Sequence, residues 1–271
     1  MTACGLDLAR TGSPLIQVQG LTAGYGERIV LRDVDLEVFA GEIVIFLGGS
    51  GCGKSTLLKQ MIGLEQPLAG KVLITGQDIH AARGTQRRRI LNGFGVSYQT
   101  GALFGSLSVL ENVLLPLEEC TDLPETLRLR VARMKLAQVG LAGFESHAPA
   151  ELSGGMVKRA AIARAMALDP CMLFLDEPSA GLDPVTSAEL DALILDLARG
   201  LGMTFVIVTH ELASVFAIAD RVIMLSKAKQ GIVAQGDPRD LRDHATDPLV
   251  KDFFHHHVSG MLNTSAEATS A

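Results

Sequence analysis

The stretch EIVIFLGGSGCGKSTLLKQMIGL, Glu42 to Leu64, decides the fold. It opens on an apolar run rich in β-branched residues, the composition of a strand covered on both faces. It closes with Leu57, Leu58, Met61 and Ile62 at helical spacing. Between them stands G-x-x-x-x-G-K-[ST], running Gly48, Gly49, Ser50, Gly51, Cys52, Gly53, Lys54, Ser55 and then Thr56. Strand, glycine-rich loop and helix together give that spacing a mechanism. The glycines let successive backbone N–H groups turn toward phosphate oxygens, and the helix N-terminus adds the positive end of its dipole. Lys54 then reaches the β- and γ-phosphates of a nucleotide, and the Ser55 hydroxyl serves as a ligand for Mg2+. Cys52 contributes mainly backbone, while its thiol makes the loop a target for thiol reagents.

Upstream, LIQVQGLTAGYG and RIVLRDVDLEVFAGEIVIFLGG predict three or four strands between Leu15 and Leu47. Downstream comes a strand at KVLIT, then a helical region from about 103 to 168. In its clearest segment Pro124 suits a first helical turn, and Leu127, Val131 and Met134 share one face. After Asp176 the pattern alternates: helix (Ala188 to Arg199), strand (MTFVIVTH), helix (Leu212 to Ala219), strand (RVIMLS). Such alternation indicates a mostly parallel sheet with crossover helices. The fold class is therefore α/β, and the chain resembles P-loop NTPases, which implies a core with a mostly parallel, RecA-like sheet, an N-terminal antiparallel β subdomain and an inserted helical subdomain. One domain is expected over 15–257, with disorder over 1–14 and 258–271. QGDPRDLRDHATDP reads as turn-rich, and the triplet His255 to His257 as a plain helix end.

The formal charge of -6 argues against nucleic acid as a partner. Four cysteines, at positions 4, 52, 120 and 171, form no CxxC pair and suit a reducing compartment. The opening MTACGLDLARTGSP lacks the pattern of a signal peptide, and no window offers about 18 uninterrupted apolar residues. Any membrane role is expected to come through a partner. Arg83 and Arg87 to Arg89 read first as a solvated basic face, with a contact to lipid headgroups or a partner as the alternative.

Two further motifs complete the chemistry. CMLFLDE is a strand that ends on Asp176, placed to meet the magnesium shell at the carboxyl edge of the sheet. Glu177, one residue on, points elsewhere and can polarise the attacking water as a general base. Before them, LSGG repeats the anion-binding device: Ser153 as N-cap, then Gly154 and Gly155, then free helix N–H groups. Two such devices do not close on one γ-phosphate within one compact domain. A two-fold dimer resolves this, with Ser153–Gly155 of each chain covering the nucleotide held by the other chain's Lys54.

The ordered set GGSGCGKST, LSGGM, MLFLDEP, AGLD and VTH resembles the nucleotide-binding subunit of ABC transporters, from about Leu15 to Phe254. The resemblance implies an ATPase that uses ATP and Mg2+. It implies that Tyr25 stacks on adenine, and that Gln99 senses Mg2+ and the attacking water and connects to the membrane partner. It also implies that Asp183 lies at the dimer seam and that His210 contacts the γ-phosphate. YQTGALFGSLSVLENVLLPLEE, ELSGGMVKRAAIARAMALDP and DEPSAGLDPVTSAELD are similar to ATPases of Mce/Mla-type phospholipid transport systems. That likeness implies a homodimer on the cytoplasmic face of the inner membrane, beneath a permease and an Mce-type lipid-binding protein. Met156 stands where the pattern usually has glutamine. The same catalytic motifs would serve a solute importer, whereas a soluble ABC protein on DNA or ribosomes, or a non-hydrolysing nucleotide-gated module, fits the motifs less well.

Overall fold

The structure, a computed structural model, describes residues 12–254. The expectations for residues 1–11 and for the chain after 254, His255 to His257 included, lie outside the described residues. The strands are β1 (Ile16–Tyr25), β2 (Arg28–Val38), β3 (Ile43–Leu47), β4 (Ala69–Ile74), β5 (Gln77–Asp78), β6 (Phe94–Ser97), β7 (Met172–Asp176), β8 (Thr204–Val208), β9 (Arg221–Ser226) and β10 (Gly231–Gly236). The helices are α1 (Lys54–Met61), α2 (Gly84–Asn92), α3 (Val109–Cys120), α4 (Glu125–Gln138), α5 (Gly154–Ala165), α6 (Pro184–Leu201), α7 (Leu212–Ile218) and α8 (Pro238–His244).

Two sheets form, as the alternating and continuous apolar patterns require. An antiparallel sheet has the order β2-β1-β4-β5, and the second has the order β10-β9-β3-β8-β7-β6. In the second sheet only the β9–β10 pair is antiparallel. All five residues of β3 are buried, and successive side chains serve two different cores. Ile43, Ile45 and Leu47 pack with α3 to α7, whereas Val44 and Phe46 pack with α1 and the antiparallel sheet. β7, β8 and β9 alternate in the same way. A sheet covered on both faces reads as unbroken hydrophobic sequence, and each buried Val, Leu, Ile or Phe stabilises the fold by about 1.5–3 kcal/mol.

Helices α3, α4 and α5 intervene between β6 and β7, and α3 carries a capping box at Ser108 and Glu111. A buried Lys135 pairs with Asp169 in the turn before β7, tying α4 to the core. Cys120 is exposed at the end of α3, while Cys52 and Cys171 are buried. Among the described residues no helix is long and apolar enough to cross a membrane.

The structure changes three local expectations and adds one strand. On α4 the buried residues are Ala132, Lys135 and Leu136, whereas Leu127 is 42% and Met134 46% exposed. The short alanine and the apolar stem of the lysine form the inner stripe, which a search for large hydrophobics misses. Arg87 is not part of a solvated face: its guanidinium donates to the carbonyls of Ile79 and Gly63 at 2.6 and 2.9 Å. GIVAQG forms β10 against β9. The turn-rich stretch holds α8, where Asp237 caps the helix and Pro238 occupies its first turn.

Asp191, on α6, is 7% exposed and lies near Ser214 and Glu211 of the neighbouring segment. Burial raises its pKa to about 6, with Ser214 opposing and the Glu211 charge adding. A carboxyl whose folded pKa is raised destabilises the fold once it must ionise, so stability falls as pH rises from the unfolded value toward about 6 and then levels. The cost above that range is on the order of 2–3 kcal/mol. Asp191→Asn is expected to raise the melting temperature more at pH 7.5 than at pH 5. Parallel thermal melts of both chains at the two pH values check it, and an equal difference at both would remove the assigned ionisation.

Candidate functional site: a nucleotide-binding edge of the parallel sheet

The register of the parallel sheet sets the site. Phe46 on β3 lies opposite Val208 on β8, Val208 opposite Asp176 on β7, and Leu175 on β7 opposite Ser97 on β6. Four adjacent strands therefore reach their carboxyl ends nearly together, at the edge where α/β sheets place ligands. The glycine-rich loop leaves β3, His210 follows β8, Asp176 and Glu177 end β7, and Gln99 follows β6. Gly48 and His210, 162 positions apart in sequence, are thereby brought to one edge.

The loop is held by close packing. Gly48 has φ 147°, and a Cβ there would meet the Leu225 carbonyl oxygen at 2.4 Å and Cys52 Sγ at 2.7 Å. Cys52 is 2% exposed, so its thiol lies behind the loop rather than on its open side. A thiol reagent therefore reaches it only after the loop opens. Gly49, Ser50, Gly51 and Ser55 are exposed, Gly53 is buried at the head of α1, and Thr56 is buried in its first turn. Lys54 curls over the loop, its Nζ donating to the carbonyls of Gly48 at 2.7 Å and Gly49 at 3.4 Å.

Tyr25 ends β1 beside α1 and is 50% exposed. Its hydroxyl donates to Glu65 at 3.0 Å, and Glu65 also accepts from Lys59 at 3.1 Å. The ring is thus held by its tip with its faces available. Glu65 and Lys59, which hold it, carry no motif and were not legible as site residues.

The acids occupy two distinct environments. Asp176 has its pKa raised by burial first and by the neighbouring Glu177 charge second, with Lys54, Lys59 and Lys158 opposing. Its Oδ1 is buried and has no hydrogen-bond partner. Glu177 adopts φ 47°, in the left-handed region that non-glycine residues seldom enter. Its backbone N–H donates to the Val208 carbonyl at 2.8 Å. Its carboxylate oxygens lie 3.0 and 2.9 Å from His210 Nδ1, which donates to them when protonated.

Ser153, Gly154, Gly155 and Asp183 form a separate surface. Ser153 caps α5 by accepting from the Met156 N–H at 3.3 Å, and Asp183 caps α6 through Val185, Thr186 and the Thr186 hydroxyl. A Cβ on Gly155 would lie 2.4 Å from the Thr186 side chain, so the two helix starts pack directly on each other. Met156 is partly buried and packs against the core. Gln99 is exposed; its backbone carbonyl accepts from the buried Lys158. Between β6, α3 and α5 runs an apolar groove of about 380 Å3, lined by Phe94, Val96, Phe104, Leu115 and Pro116.

The edge suits a divalent cation on one point of its own geometry. The unpartnered Asp176 Oδ1 is a buried hard-oxygen donor within the field of Lys54, Lys59 and Lys158, and Ser55 stands at the start of α1.

A family profile described as ABC transporter matches residues 31–180. The chain is 39% identical over 267 residues to the probable ribonucleotide transport ATP-binding protein mkl of Mycobacterium leprae, covering 98% of this chain and 76% of the relative. It is 40% identical over 227 residues to the intermembrane phospholipid transport system ATP-binding protein MlaF of Haemophilus influenzae, covering 84% and 85%. Among solved structures it resembles the ATP-binding cassette MJ0796, a dimer in a post-hydrolysis state bound to ADP and Pi. That match has TM-score 0.72 and 30% identity, and covers 82% of this chain and 98% of the other.

Gly48→Ala is expected to abolish binding of a fluorescent ATP analogue while leaving the far-UV spectrum of the fold unchanged, because the added methyl would push on the Leu225 main chain and on the buried Cys52 sulfur. Titration of the analogue checks it; wild-type affinity would show that the loop need not keep this shape.

Proposed function

The chain belongs to the ABC transporter family and is an ATP-hydrolysing subunit of such a transporter; we propose that it drives phospholipid transport between membranes as one half of a two-fold dimer. The observation that carries the dimer reading is the division of the site into two surfaces. Lys54, Asp176, Glu177 and His210 share one edge, while Ser153, Gly154, Gly155 and Asp183 form a second surface of their own. In the dimer each chain's second surface covers the nucleotide on the partner's first. The family's dimeric cassettes support that arrangement.

Within the closed site the loop N–H groups and Lys54 bind the β- and γ-phosphates, and Tyr25 receives the adenine on an open ring face. Ser55, Gln99 and Asp176 are the residues that would hold Mg2+, which when bound supplies positive charge to the phosphate oxygens. Glu177 orients a water against the γ-phosphorus and takes its proton as the new P–O bond forms. The bond to the β–γ bridging oxygen breaks, leaving ADP and phosphate. His210 steers the Glu177 carboxylate and contacts the γ-phosphate. Lys54 and the partner's α5 N-terminus stabilise the charge that develops on the transferred group.

The lipid assignment draws on the likeness to the Haemophilus phospholipid transport protein. The mycobacterial relative, named for ribonucleotide transport, favours a second reading in which the same ATPase serves a solute. In the lipid reading the subunit sits at the cytoplasmic face of the inner membrane, bound to a permease with an Mce-type lipid-binding protein above it. The groove between β6, α3 and α5 receives a helix of the permease.

Glu177→Gln is expected to cut ATP turnover by about 100-fold or more, the scale of a lost general base, and to accumulate an ATP-bound dimer on size-exclusion chromatography. Turnover at the wild-type rate would refute the base assignment. Isolation from native membranes in mild detergent, followed by mass spectrometry, tests the cargo. Phospholipid with a permease and an Mce-type protein is expected; a solute-binding protein without enriched lipid would replace the lipid reading with the solute one.

A further inference from the structure

Lys158 lies in α5, five residues after the Ser153 cap, and is 7% exposed. Its ammonium is spent on main chain: it donates to the carbonyl of Gln99 and, at 3.3 Å, to the carbonyl of Glu177. These two carbonyls belong to residues on different loops, leaving β6 and β7. Burial pushes the Lys158 pKa down, while the carboxylates of Glu177, Glu211 and Asp176 hold its charge in place.

The surroundings show what this contact restrains. Glu177 is in the left-handed region, with its N–H fixed by the Val208 carbonyl and its C=O accepting from both Lys158 and the Ala180 N–H. Both ends of a strained residue are therefore pinned while its carboxylate is free to turn toward His210. On the other side, α5 also holds the loop after β6 through Arg164, which donates to the carbonyls of Gly101 at 2.9 Å and Ala102 at 2.7 Å. Gly101 has φ 74°, and a Cβ there would come within 3.1 Å of Val157, so the loop lies directly on the helix. Arg164 holds the loop alone; Lys158 holds the loop and the acid together. A buried ammonium is costly to keep, and two backbone acceptors at these two residues give it a purpose.

The geometry points to Lys158 as a positioning residue that fixes the backbone of Glu177 and of Gln99 relative to each other, so that base and sensing loop meet the γ-phosphate in register. The inference rests on the reading of Glu177 as the base. It predicts an effect on turnover rather than on nucleotide binding, because Lys158 touches neither the loop of Lys54 nor Tyr25.

The test compares full-length wild type, Lys158→Met, Lys158→Arg and Glu177→Gln in ATP turnover, fluorescent ATP-analogue binding and thermal melting. Lys158→Met is expected to lower kcat by about 100-fold, the cost of a small misplacement of a reacting group, with analogue Kd and KM changed by less than about threefold. Lys158→Arg, which restores charged donors, is expected to recover most of the lost kcat. Where the Met chain does not melt cooperatively, Lys158→Gln takes its place, and a lowered kcat at unchanged Kd supports the role. A folded Met or Gln variant with wild-type kcat overturns it, as does a raised Kd that accounts for the whole loss. Wild-type turnover in Glu177→Gln would instead sink the base assignment, so the two failures are separable.

Discussion

Hydrogen bonding along four parallel strands places Phe46 opposite Val208, Val208 opposite Asp176, and Leu175 opposite Ser97. A slip of one residue in any of these ladders would turn that strand's core side chains to the opposite face. It would also withdraw one functional group from the edge by the rise of a residue, about 3.3 Å. The two hydrophobic cores are what forbid such a slip. Ile45 and Phe46, Phe174 and Leu175, and Ile207 and Val208 must each keep to their own side of the sheet. The chemistry at the edge is precise because the burial beneath it is.

The same arrangement explains why the acids differ. Asp176 is the last residue of β7 and stays in the half-buried rim, where its Oδ1 has no hydrogen-bond partner and burial raises its pKa. Glu177 is the first residue past the ladder, and its left-handed backbone swings the carboxylate away toward His210. In the proposed function, one peptide bond thus separates the metal-holding carboxylate from the one that takes the proton.

Much of this was readable from sequence because the relevant chemistry is local. A glycine loop between a strand and a helix, an acid pair closing an apolar run, and a serine-capped helix start each announce themselves within a dozen residues. The continuous apolar runs of β3, β7 and β8 likewise reported a sheet buried on both faces. What stayed hidden depends on partners far along the chain. Lys158, Arg164 and Arg87 look like ordinary surface cations until the fold brings main-chain carbonyls to them, 59, 62 and 8 residues away respectively. The inner face of α4 was misread for a related reason. Its outward Leu127 and Met134 are larger than the Ala132 that packs inside, so size misreports direction.

The cysteines carry a practical consequence. Cys52 is sealed behind the nucleotide loop and Cys171 is buried at the foot of β7, while Cys120 stands exposed at the far end of α3. Among the described residues, a gentle thiol-directed dye would therefore attach on the helical insertion and leave the hydrolytic edge untouched. With Cys4, which lies outside the described residues, replaced by serine, two copies labelled at Cys120 would carry a matched pair of reporters, letting the separation of the insertions be followed by energy transfer through a catalytic cycle.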